Sequence, residues 1–128
     1  IREKSMKLIT LLLGFVLMIS LTTIACGGGD PQEWTFEMEI RERSLVQEES
    51  VLRVKQDDIV TIVVTTDEHV AFHLHGYGIG IGVEPGEPAT MEFTADATGN
   101  FHFTIHIEVE GQAGGEEIEL GRLEVQPR

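Results

Sequence analysis

Five histidines and a single cysteine are the side chains with the most chemical reach in this chain of 128 residues. His73 and His75 sit two apart in Phe72-His73-Leu74-His75-Gly76. On an extended strand that spacing sends both imidazoles out of the same face, with α-carbons about 7 Å apart. His102 and His106 repeat the pattern downstream, on the polar side of a segment whose other side is Phe101, Phe103 and Ile105. If the two segments pair or face one another, three or four imidazoles converge, and three nitrogen ligands plus water suit Cu(II) or Zn(II). His73, His75 and His106 are therefore the candidate metal ligands; His69 and His102 are the less favoured pair. A bland reading stands beside this one: histidines at alternate polar positions of surface strands are also what ordinary solvated side chains look like.

Cys26 is the only thiol, and its place in the chain gives it a different chemistry. It follows an apolar run, Leu8 to Ala25, that begins behind Arg2, Lys4 and Lys7 and ends in small residues. This is the three-part layout of a secretory signal. A transmembrane helix is the competing reading, because the run approaches the ~20 residues needed to cross a bilayer. Ala25-Cys26 followed by Gly27-Gly28-Gly29 resembles a bacterial lipoprotein cleavage site, in which the cysteine becomes a diacylated N-terminus; Thr23 departs from the leucine usual at that place. The resemblance implies lipidation at Cys26, a membrane-lipid partner through the N-terminal anchor, and an exported protein at the extracytoplasmic or periplasmic face. The folded part then contains no thiol, which removes disulfides, thiolate ligands and cysteine nucleophiles from it.

Composition narrows the functions further. The formal net charge is −13, and loss of residues 1–25 would remove three cations and one anion, leaving the remainder more acidic still. No nucleic acid partner is expected, since phosphate binding needs a basic face. Such acidity keeps a domain soluble, and it also draws cations toward the histidines. Catalysis finds little support: no phosphate-cradling loop opens a helix, and Glu48-Glu49 and Glu116-Glu117 are sequence neighbours that point apart on an extended chain, so they read as solvation. The chain is read as a non-enzyme.

The elements that must position the histidines are strands. Trp34, Phe36, Met38 and Ile40 alternate with polar residues, the two-residue period of a strand with one apolar face. Val51 to Val54 follows, then a turn at Lys55 to Asp58, then the β-branched run Ile59 to Thr66, which suits a central position in a sheet. His69 to Ile81 reads as a strand decaying into alternate glycines, which suggest an edge or a close backbone approach. Ala89 to Ala95, Phe101 to Val109 and Ile118 to Val125 complete the set, with Gly111 to Glu117 as a loop. Seven or so short strands and no helical period in the exported part predict an all-β, two-sheet antiparallel sandwich, with an up-and-down barrel as the other candidate. The division is residues 1–25 as signal segment (an N-terminal helix), 26–32 as flexible linker and 33–128 as one domain. Its apolar faces suffice to fold it without metal, so a bound metal would be functional rather than structural.

The order of segments from Val51 onward resembles the cupredoxin family: Val54 to Ile62, histidines after Thr66-Asp67-Glu68, Val83-Glu84-Pro85-Gly86, Gly99-Asn100-Phe101-His102-Phe103, then Leu120 to Val125. The resemblance implies a Greek-key β-sandwich of plastocyanin or multicopper-oxidase type. It also implies a blue-copper cysteine where this chain has Ile105, a later histidine where there is none after His106, and a methionine near Glu119 or Leu120. Without the thiolate, blue-copper electron transfer is not expected. Phe72 to Gly76 is similar to the His-x-His-Gly motif of multicopper oxidases, and Ile105-His106-Ile107 to their His-Cys-His-Ile segment with the cysteine lost. That likeness carries over only to His73, His75 and His106.

The expected function is a membrane-tethered module binding a transition metal, copper first, for metal handling in the cell envelope. Two rivals are kept. One is a metal-free structural or interaction module, partnered by another envelope protein, that retains only the fold; the other is a redox or oxidase subunit completing its site across an oligomer interface.

Overall fold

A computed structural model describes residues 28–128. The signal segment, Cys26 and the first part of the expected linker lie outside the described residues. Nine strands follow in order: β1 (Glu33–Arg41), β2 (Ser44–Leu45), β3 (Val51–Lys55), β4 (Ile59–Thr66), β5 (Val70–Leu74), β6 (Ile79–Val83), β7 (Ala89–Thr94), β8 (Gly99–Ile107) and β9 (Glu116–Gln126). They form a four-stranded sheet ordered β2-β1-β4-β7 and a five-stranded sheet ordered β3-β9-β8-β5-β6. The β-branched run Ile59 to Thr66 takes the interior place predicted for it, between β1 and β7.

Strand alternation decides what each sheet buries. Met38 and Ile40 on β1, Val60, Ile62 and Val64 on β4, Phe72 and Leu74 on β5, and Phe103, Ile105 and Ile107 on β8 are buried between the layers. Phe72 and Phe103 stack with ring centroids 5.6 Å apart at the centre of this core. Because neighbours along a strand face opposite ways, burying Phe72, Leu74, Ile105 and Ile107 turns His73, His75 and His106 outward onto the exposed face of the five-stranded sheet.

β9 must change phase to serve both ends of this arrangement. Ile118 and Leu120 face inward, and so do Leu123 and Val125, which an unbroken two-residue period does not allow. A bulge opposite Phe103 and Thr104 absorbs the extra residue, so that Phe103 lies across from Gly121 and Thr104 across from Glu119. A side chain at Gly121 would run into the Ser50 carbonyl, so the bulge and the approach of the preceding loop both depend on glycine there.

Two expectations need correction. The sheets are mixed rather than wholly antiparallel, because β1 pairs parallel with β4 and β3 parallel with β9. The segment His69 to Ile81 is two strands, not one that decays: Gly76 and Gly78 adopt positive φ of 89° and 66°, a conformation open to glycine, and fold the chain back so that β6 pairs antiparallel with β5. The remaining alternate glycines, Gly80 and Gly82, lie on β6, an edge strand.

At the base of the sandwich Asp58 is buried, with 2 % of its surface exposed. It accepts hydrogen bonds from the backbone N–H groups of Gln32 and Lys55 and from Trp34 Nε1, each at 2.9 Å, and pairs with the Arg128 guanidinium. Arg128 also donates to the carbonyls of Gly29 and Asp30. The later part of the expected linker is thus fastened to the domain.

Candidate metal centre

Three adjacent strands build the site. β5 pairs with β8 so that Ala71 lies opposite His106 and His73 opposite Thr104, and β8 pairs with β9 so that His106 lies opposite Glu117 and Thr104 opposite Glu119. His73, His75, His106 and Glu117 therefore share one outward face, in the body of the sheet.

Side-chain reach then closes the gaps. His106 Nε2 is 2.9 Å from Glu117 Oε2, and His75 Nε2 is 3.4 Å from Glu117 Oε1. Each of these three residues offers a ligand atom, and the three atoms lie within 4.8 Å of one another. Ligands at about 2.0–2.1 Å from one ion stand about 3 Å apart when adjacent and about 4 Å apart when opposite, so these three atoms are near the spacing that a shared ion requires. Two imidazoles and a carboxylate are a nitrogen and oxygen donor set, suited to Cu(II) or Zn(II).

His73 stands beside this set. Its ring packs edge-on against His106 with centroids 4.7 Å apart, and lies 6.4 Å from the ring of His75. Burial lowers its pKa from the ordinary 6.5, and the neighbouring His106 and His75 lower it further against the opposing pull of Glu117. The neutral imidazole, the form that ligates, is favoured there. Across the strand pair, a Cβ at Gly80 would sit only 2.7 Å from two atoms of the His73 ring. The glycine that the sequence marks as a close backbone approach is thus the floor on which His73 lies.

Thr104 supplies a hydroxyl beneath the site: its Oγ1 is 2.9 Å from His75 Nε2, and the residue is 3 % exposed. His102 Nδ1 is 2.9 Å from Glu119 Oε1, and His69 Nδ1 is 2.9 Å from Glu84 Oε1. His69 precedes β5 and contacts the loop after β6, outside the three-residue set.

Glu117 is the functional candidate that the sequence reading missed. The segment reads as a loop closing with adjacent glutamates, whereas β9 begins at Glu116 and puts Glu117 and Glu119 on the histidine face. The available signal was the alternation Glu117-Ile118-Glu119-Leu120, polar out and apolar in.

No family model and no curated protein matches the sequence. Solved structures do match. A chain of a heme-copper terminal oxidase dimer superposes over 98% of this chain and 97% of its own length, with a TM-score of 0.60 and 15% identity. A multi-copper oxidase from Pseudomonas thermotolerans matches over 77% of this chain with a TM-score of 0.58 and 21% identity, this chain spanning 31% of its length. A copper binding protein in its apo form matches over 77% of this chain and 93% of its own, with a TM-score of 0.53 and 16% identity. At such identities the likeness concerns the fold. Two facing sheets in this order, together with these neighbours, give the described strands a cupredoxin-like β-sandwich fold.

Proposed function

We propose that the chain is an exported, lipid-anchored binding module that holds a transition metal, copper first, at His75, His106 and Glu117, with His73 lining the site, for metal handling in the cell envelope. The observation that carries this is the meeting of three ligand atoms within 4.8 Å, two from the adjacent strands β8 and β9 and one from His75, the residue just after β5. The copper proteins among its structural neighbours support the choice of metal. The apolar run ahead of Cys26 supports export and anchoring. Binding rather than turnover is the role assigned, because the site lies on an open sheet face with no enclosure to exclude water from a reacting substrate.

A second reading has its own support. His75, His102, His106 and His69 each already contact a glutamate. Exposed pairs of this kind contribute about 0–1 kcal/mol each, and the face could be such an array on a structural or interaction module.

Copper titration of the detergent-solubilised, untagged full chain, followed by calorimetry and electron paramagnetic resonance, separates the two readings. Saturable Cu(II) binding with imidazole nitrogen couplings, lost in His106→Ala and His75→Ala, is expected. Binding no tighter than that of the doubly substituted chain would leave the structural reading.

A further inference from the structure

We infer that the same sheet face carries a second cation position, held by His102 and Glu119 and separated from the first by Thr104. This extends the metal-binding reading above and rests on it.

The bulge in β9 creates the arrangement. Directly across from His102 lies Arg122, which alone would make the place unfavourable for a cation. The inserted residue leaves Glu119 outward one step earlier, opposite Thr104, and the His102 ring leans to it, bringing Nδ1 to 2.9 Å from Oε1. That distance is the separation of two adjacent ligands on one ion. On the other side of β8, the His75 backbone N–H donates to the His102 carbonyl at 2.9 Å, so the side chains of His75 and His102 leave neighbouring strands side by side.

These residues line one open groove of about 420 Å3: His75, His102, Thr104, Glu117 and Glu119. His75 is the common wall. Its Nε2 faces Thr104 and Glu117 on the first position's side, while His102 and Glu119 close the other. The groove thus holds the His102–Glu119 pair, the exposed His75 imidazole, and Glu117, the carboxylate that also contacts His106.

Two consequences follow from the chemistry. The second position offers two protein donors against three in the first, so it binds more weakly and keeps more water. Two divalent ions in one groove repel, and Glu117 and Glu119 offset part of that repulsion, so the second ion fills at a higher copper concentration than the first.

Cu(II) is the probe, titrated into the untagged full chain in detergent and read by bound copper per chain and by electron paramagnetic resonance. Two ions per chain are expected, the second at least ten-fold weaker, with dipolar broadening once both are present. His102→Ala and Glu119→Gln should each reduce the count to one and abolish the broadening while leaving the tighter ion in place. His106→Ala should remove the tighter ion and retain the weaker. Glu119→Gln preserves shape, and circular dichroism checks that it folds. One ion in the unsubstituted chain, or two ions in both His102→Ala and Glu119→Gln, overturns the second position and leaves the first standing. Failure of the first position shows separately, as binding that neither His106→Ala nor His75→Ala alters.

Discussion

His106 Nε2 and Glu117 Oε2 lie 2.9 Å apart at directly paired positions of β8 and β9, so the backbone register itself brings an imidazole and a carboxylate together. Neither side chain needs a loop to place it. His106 and Glu117 project from strands whose inward residues, Ile105 and Ile107 beside His106 and Ile118 beside Glu117, belong to or pack against the core, and His75 directly follows the buried Leu74 at the end of β5. Sites on strands are held more tightly than sites on loops.

Glu117→Gln keeps the shape of that side chain and removes its charge. The expected result is a loss of Cu(II) affinity of at least about ten-fold, the lower end of what even outer-shell changes cost metal sites. Unfolding in urea should hardly change, because Glu117 is exposed. Calorimetric titration of both proteins checks the first outcome and denaturation the second.

The Cu(II) spectrum tests the missing thiolate. Ile105, at the place where the cupredoxin resemblance puts cysteine, is fully buried in the core. Copper bound on the outer face therefore has nitrogen and oxygen donors only, and its visible absorption should be weak. An intense blue band would contradict both the strand register and the site.

The fold was legible because its signals are local. The alternation of Phe101, Phe103, Ile105 and Ile107 with His102, Thr104 and His106 predicts both a strand and its outward histidines, and His73-Leu74-His75 does the same for β5. The partner of each strand is not local: nothing in the sequence dictates that β5 lies between β6 and β8, which is what joins His73 and His75 to His106. Glu117 was hidden because Gly111, Gly114 and Gly115 read as a loop that swallows the start of β9. Arg128 and Asp58 are 70 residues apart, and their pairing is visible only in three dimensions.

Asp58 should govern the acid limb of stability. Burial pushes its carboxyl pKa up, but hydrogen bonds from Gln32, Lys55, Trp34 and Arg128 outweigh this and hold it below the ordinary 3.8. The folded state thus favours the ionised form. Its stabilisation is fully present above the unfolded value of about 3.9 and is lost as pH falls through the folded value. Asp58→Ala, which strands a buried guanidinium and three N–H donors, should cost about 3–5 kcal/mol at neutral pH. The difference from the unsubstituted protein should shrink below about pH 3.9, which urea denaturation across pH 2–7 would reveal.

Cys26 carries the expectation about location. Mass spectrometry of membrane-fractionated protein should find diacylglycerol on Cys26 as the new N-terminus, and Cys26→Ser, which has no thiol to form the thioether, should leave the chain unprocessed. An unmodified Cys26 in soluble exported protein would leave only a secretory signal.

Gly80 fixes where the His73 ring can lie, and the consequence is measurable without metal. A methyl group at Gly80 would stand 2.7 Å from His73 Cε1 and Nδ1, closer than packed atoms tolerate, so Gly80→Ala must turn the ring. Since β6 is an edge strand and the ring is only partly buried, the ring can move and the fold should survive. In the unsubstituted protein, burial and the adjacent His106 and His75 should make His73 titrate below 6.5 in an NMR pH series. Driving the ring into solvent relieves the burial first and the repulsion second, so Gly80→Ala should move the midpoint upward toward the ordinary value. The edge-on contact with His106 would loosen at the same time, freeing the His106 ring to turn and weakening Cu(II) binding although no ligand has been changed. An unchanged His73 midpoint in Gly80→Ala would mean that the ring does not rest on β6.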